Sequence, residues 1–151
     1  MLVPKPVNCP VKDKVCLILS DGVISCRLEG IGGHRHCFAY SSQLGSVIYK
    51  FGGHNDNEIM AYERATEEQK RYIPDLYDYS KCACGVHTWV AMRWIVSASE
   101  CIDPKTRSKK YAELLAAVTP LGLAWDLVEY GLNWKLEANT LHPYCVDAVI
   151  N

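Results

Sequence analysis

Residues 30–50 read GIGGHRHCFAYSSQLGSVIYK, and the fold turns on this stretch. Gly30, Gly32 and Gly33 form a cluster that permits a tight or open loop. Residues 36–41 then alternate as a strand does, residues 43–45 turn, and residues 46–51 make the next alternating run. Lys50 stands near the end of that run, after Val47, Ile48 and Tyr49. Eight residues further on, Glu58 opens a segment of helical periodicity. Backbone N–H groups in a loop, a cation on a strand and an acid on a helix together make a grip for phosphate. The amides and the ammonium face the anion, and the acid holds the ammonium in place.

Upstream, residues 1–10 carry three prolines and read as an irregular arm. Residues 15–19 are an apolar run, Asp21-Gly22 marks a turn, and residues 23–28 alternate. That pattern fits a hairpin, or a short helix followed by a first strand. Downstream, Asn55, Asp56 and Asn57 are N-cap residues. Ile59, Tyr62 and Ala65 then recur at helical spacing, which predicts a helix over residues 57–70, ended by Ile73-Pro74. Residues 76–79 and 88–96 are the fourth and fifth strand candidates. Residues 97–108 read as a polar connector, and residues 111–118 and 121–136 as two helices interrupted at Pro120. Residues 137–151 read as irregular, with a last short strand over 145–150. The order predicts an α+β fold: an antiparallel five-stranded sheet with one packed helix, then a short helical C-terminal part. It is expected as a single domain, with an arm at 1–10, the sheet and helix at 11–96 and the helical extension at 97–151.

The 151 residues are 49% hydrophobic and 22% charged, ordinary for a folded chain. With 16 Lys+Arg against 17 Asp+Glu, the net charge is −1, so neither nucleic acid nor a membrane surface is an expected partner. Lys105, Arg107, Lys109 and Lys110 read as a solvated loop entering a helix. No signal peptide is visible and no stretch approaches a membrane span, so a cytoplasmic location is expected. The eight cysteines lack framework spacing and are expected reduced. Cys82, Cys84 and His87 form a C-x-C-x-x-H cluster, a weak zinc candidate with no evident fourth ligand.

The stretch around residues 30–58 resembles the small lobe of protein kinases, and in particular the small, divergent kinase-like proteins of bacteria and their phages. The resemblance runs over residues 26–94 and fades beyond them. It places Gly30, Gly32 and Gly33 in a glycine-rich loop that His34, Arg35 and His36 crowd. It places Lys50 as the phosphate-binding lysine and Glu58 as the helix acid that pairs with it. Residues 73–78, IPDLYD, are similar to the family's link from helix to fourth strand. Residues 89–94, WVAMRW, are similar to the fifth strand, with Met92 guarding the adenine pocket and Arg93 opening the hinge.

The catalytic loop departs from the family. Bacterial examples read D-L-H-P-G-N, and the nearest match here is residues 140–145, TLHPYC. Thr140 then replaces the base aspartate and Cys145 the metal-binding asparagine. A threonine hydroxyl cannot accept a proton at neutral pH, and a neutral thiol is a poor magnesium ligand. The other register, Asp147 and Asn151, has a spacing of four where the family has five, and no counterpart of the second metal aspartate follows. The resemblance therefore implies a catalytically degenerate, pseudokinase-like protein with no catalytic residue and no cofactor. Its activity would be stoichiometric binding and inhibition of a protein partner. A phage or mobile-element origin would make that partner a host enzyme or defence complex. One alternative is a minimal or split kinase, dependent on ATP and magnesium and completed by a partner chain or a homodimer. Another is an adaptor stabilised by zinc at Cys82, Cys84 and His87. His142 reads as a helix-end or turn histidine, and Trp125, Tyr130 and Trp134 as core.

Overall fold

Strand alternation sends Val47, Tyr49 and Phe51 to one side of the chain and Ile48 and Lys50 to the other, and all five are buried. A strand buried on both faces lies inside a sheet rather than at its edge. The computed structural model describes residues 3–6, 16–18, 24–26, 36–42, 45–51, 55–80, 89–98, 102–123, 127–131 and 133–146. By their contacts the residues fall into two compact units: Met1–Asp56 with Leu76–Trp94, and Asn57–Asp75 with Ile95–Asn151.

The first unit holds a hairpin of β1 (Cys16–Ile18) and β2 (Ile24–Cys26), paired from Cys16↔Cys26 to Ile18↔Ile24. It also holds an antiparallel sheet of β3 (His36–Ser42), β4 (Gly45–Phe51), β5 (Leu76–Ser80) and β6 (Trp89–Arg93), in the order β3-β4-β6-β5. Among the described residues the sheet is thus four-stranded, not five-stranded. Ile24–Cys26 takes its hydrogen bonds from β1, across a short connection that costs little closure entropy. In the register, Lys50 stands opposite Cys37 on one side and Val90 on the other, and Ile48 opposite Met92. Val47, Tyr49, Phe51, Trp89 and Ala91 form the unit's apolar cluster, joined by Val3 and, half-buried, Tyr77.

In the second unit, α1 (Asn55–Arg64) stops well before the expected residue 70. Thr66 explains the stop. Its N–H donates to Gln69 Oε1 at 2.9 Å, and the Gln69 N–H donates to Thr66 Oγ1 at 3.2 Å. That reciprocal pair, in the pattern of a capping box, closes the turn over residues 66–69 that leads into a 3-10 turn at Gln69–Tyr72, whose own N-cap Glu68 makes no side-chain cap. Ile73 then goes extended ahead of Pro74, as a residue before proline must.

The next helix, α2, runs from Pro104 to Val118, seven residues earlier than the pattern at 111 suggested. Part of the supposed polar connector is its first two turns. Asp103 is the N-cap, accepting from the Thr106 N–H at 3.2 Å, and Pro104 sits at the first helical position. Asp103→Ala is expected to lower stability by about 1 kcal/mol, read from the midpoint of urea unfolding. An unchanged midpoint would show that the cap is idle.

The helix expected over 121–136 is absent among the described residues. Gly122 at φ 80° closes the 3-10 turn Thr119–Leu121 in the left-handed region. Trp134 and Leu136 are buried and Lys135 is not, a period of two. Strand β7 (Trp134–Leu136) pairs with β8 (Pro143–Cys145) as an antiparallel hairpin. Among the described residues the last strand is thus 143–145, and residues 147–150 of the one expected over 145–150 lie outside them. The unit's core joins Ala61 of α1, Ala65 just after it, Ile73, Leu114 and Val118 of α2, Leu123, Leu127, Trp134, Leu136 and Cys145. No described helix is long and apolar enough to cross a membrane.

Candidate functional site

A lysine near the end of a strand usually reaches water, but Lys50 is only 4% exposed. Its cross-strand neighbours on the same sheet face are apolar: Val90 directly opposite, with Ile48 and Met92 as the next pair along. All three are buried, so the ammonium sits on an apolar face where the dielectric is low and any charge interaction is strong. Glu58 is 1% exposed, and it is the only other buried charged residue among those described. It lies in the first turn of α1, where the helix macrodipole favours an anion. Both residues named by the resemblance are thus buried, Lys50 in the first unit and Glu58 in the second.

Met92 also pairs with Leu76 across β6 and β5, within the strip that carries Val90. Gly30, Gly32, Gly33, His34 and Arg35 lie outside the described residues, as do Cys82, Cys84, His87, Trp125, Asp147 and Asn151. Among the described residues no three His, Cys, Asp or Glu side chains gather to hold a metal. Cys145 is a buried thiol outside any disulfide, in the core of the second unit.

Residues 140–145 lie in and just after the turn that joins β7 to β8. The turn is closed by Leu141 N–H donating to the Glu137 carbonyl at 2.8 Å and by Glu137 N–H donating to the His142 carbonyl at 3.0 Å. Leu141 adopts φ 57°, a left-handed conformation that costs a side-chain-bearing residue about 1–2 kcal/mol and persists because its surroundings fix it. The Thr140 hydroxyl donates to Glu137 Oε1 at 3.1 Å and accepts from the His142 N–H at 3.2 Å. His142 Nε2 bonds the Arg71 carbonyl at 2.6 Å, so that nitrogen carries the proton. Its ring stacks on Tyr72 at 5.0 Å and meets Tyr144 edge-on at 4.9 Å. Tyr72 is itself tied in: burial first, then the Glu113 carboxylate that accepts its hydrogen bond, raise its hydroxyl above the ordinary phenol range. The histidine is a fastener of the turn, in keeping with its reading from sequence.

Sequence reasoning missed a second arrangement. Arg107, read as part of a solvated patch, has its guanidinium 5.0 Å from the Tyr130 ring centre and 4.8 Å from that of Trp134. Its Nε donates to the Glu129 carbonyl at 3.0 Å. Ser108 donates to Glu129 Oε1, Tyr111 to the Leu127 carbonyl and Trp134 Nε1 to the Val128 carbonyl. Tyr130, expected in the core, is 70% exposed on this latched segment. A Cβ at Gly131 would lie 2.5 Å from the exposed Val128 side chain and 3.2 Å from its carbonyl oxygen, so a larger residue there makes Val128 shift. No signal in the sequence announced a stack whose members are 23 and 27 residues from Arg107.

The chain is similar in fold to a crystal structure of Rad53 1-466 in complex with AMP-PNP, with a TM-score of 0.55 and 11% identity. The match covers 83% of this chain and 38% of that one, so the chain spans well under half of its structural neighbour. The likeness is one of fold, and it agrees with a kinase-like α+β architecture. No family profile matches the chain, and no curated protein matches its sequence.

Proposed function

We propose that this chain is a catalytically degenerate, pseudokinase-like protein that works by stoichiometric binding to a protein partner. The observation that carries the reading is the state of Thr140. By the sequence resemblance it stands where a kinase needs a proton-accepting aspartate, and its hydroxyl is engaged with Glu137 and the His142 N–H inside a turn. A kinase without its base and its metal ligands loses positioning and electrostatic stabilisation together, which supply most of its rate. The identification of the partner with a host enzyme or defence complex, and of the source with a phage or mobile element, rests on family analogy.

A second reading is favoured by the buried Lys50. In it, Lys50, Glu58, Met92 and the glycines at 30, 32 and 33 retain an adenine nucleotide, and a partner chain or second copy completes a split kinase. One experiment separates the two. Wild type is incubated with magnesium and γ-labelled ATP, alone and with the partner recovered from its native cell, beside Lys50→Met assayed below its melting temperature. No label is expected on either protein, and Lys50→Met keeps the partner. Metal-dependent labelling that this one change abolishes would establish the kinase reading and remove ours.

A further inference from the structure

Residues 3–6 read VPKP, and they lie against the sheet of the first unit through side chains and backbone carbonyls, with Pro6 in a β-bridge. Val3 is buried among Val47, Tyr49, Phe51, Ala91 and Trp89. The Tyr49 hydroxyl donates to the Pro4 carbonyl. The Lys5 ammonium approaches Asp78 Oδ2 on β5, at 3.9 Å. Prolines at alternate positions have no N–H to give a ladder, so such a segment stays extended and is gripped by what its side chains and carbonyls reach.

The segment fills this place without completing it. Asp78 Oδ2 is buried and accepts no hydrogen bond among the described residues. At 3.9 Å the lysine stands beyond hydrogen-bond reach, and its side chain is 64% exposed against 20% for Asp78. A buried carboxylate oxygen left without a donor calls for an explanation, and a better donor at the position of Lys5 supplies one. Arginine has that reach and a planar fork that matches a carboxylate.

From this we infer that the sheet face is a groove for an extended segment of a protein partner, ordered apolar, proline, basic, and that residues 3–6 are its intramolecular occupant. The apolar side chain takes the place of Val3, the following carbonyl accepts from Tyr49, and an arginine bonds Asp78. The inference rests on the protein-binding reading above and gives it a surface.

The test uses a labelled peptide with the sequence of residues 1–8 carrying arginine in place of Lys5, followed by fluorescence anisotropy. The chain lacking residues 1–6 is expected to bind it at least about tenfold more tightly than the full chain, whose own segment competes at high effective concentration. Asp78→Asn in the shortened chain is expected to weaken binding about tenfold, the loss of one charge-assisted contact. Equal affinity for the shortened and full chains, or no binding by either, overturns the groove. If the shortened chain does not fold, full-length Val3→Asp replaces it, and if that too unfolds, the segment is a structural part and the inference fails. A full chain that keeps its cellular partner while the shortened chain ignores the peptide removes the groove alone. Phosphate transfer by the wild type removes the binding reading and leaves the peptide result as it stands.

Discussion

Lys50→Met is expected to lower the free energy of unfolding by about 3–5 kcal/mol, a large share of what a domain of this size possesses. Methionine replaces the apolar stem well, so lost packing contributes little. The cost arises because a buried ammonium is held by groups that balance it, and its removal leaves their charge uncompensated in a low dielectric. The sequence reading names Glu58 as the group concerned. Glu58→Gln alone is expected to cost a similar amount, since Glu58 is likewise buried, and Lys50→Met combined with Glu58→Leu tests the coupling that the sequence resemblance implies: a loss far below the sum would show it. Guanidinium unfolding of the four proteins completes the cycle. Strictly additive losses would show that each residue answers to a different partner, and a loss below about 1 kcal/mol for Lys50→Met would mean that the lysine is in effect solvated.

Trp134→Ala should be comparably damaging in the second unit, with a loss of about 3–5 kcal/mol. Trp134 is buried, its ring lies against Tyr111 at 5.5 Å, and its indole N–H donates to the Val128 carbonyl at 3.0 Å. Its removal opens a cavity beside Leu127 and Leu136 and takes away one wall of the Arg107 stack. For a chain of this length the melting temperature should fall by roughly 6–20 °C. Trp134→Phe separates the contributions. It keeps a ring in the core and loses the indole donor, for about 1 kcal/mol plus a small packing change. If alanine costs no more than phenylalanine, the tryptophan is held by its hydrogen bond and the core argument fails.

How far the sequence could be read depended on the range over which each signal acts. Strands β3 to β6 were legible because alternation in residues 36–51 and 89–93 is a local pattern that the sheet obeys. The start of α1 was placed two residues late, because Asn55 and Asp56 were read as caps and lie inside the helix, and its end was misplaced because residues 65–70 were read as further helical turns. The start of α2 was missed although Asp103-Pro104 is a recognisable helix opening, since the residues after it are polar. Residues 121–136 were read as helix from the spacing of their apolar side chains, and tertiary pairing of Trp134 with Cys145 decided otherwise. At the candidate site, the residue types and order of Lys50 and Glu58 were readable, but their burial was not. Burial depends on what covers a residue, and a single strand carries no record of that. The fastening of His142 to Arg71 joins positions 71 residues apart, beyond any periodicity.

The two units share the chain in alternate pieces, first to second to first to second. On the ribosome this matters. The sheet order puts β6 between β4 and β5, so after β4 is made one of its edges stays open until residues 89–93 emerge. At ordinary rates of synthesis that gap lasts roughly 2–8 s, longer than most domains of this kind need to fold. During that time a buried-type strand, Val47 to Phe51, exposes unpaired N–H and C=O groups to any neighbouring chain. Yield in a cell is therefore set by how fast translation passes residue 93 and by what shields β4 until then, and slowing synthesis between residues 52 and 88 should shift product into aggregates even though the finished protein is unchanged.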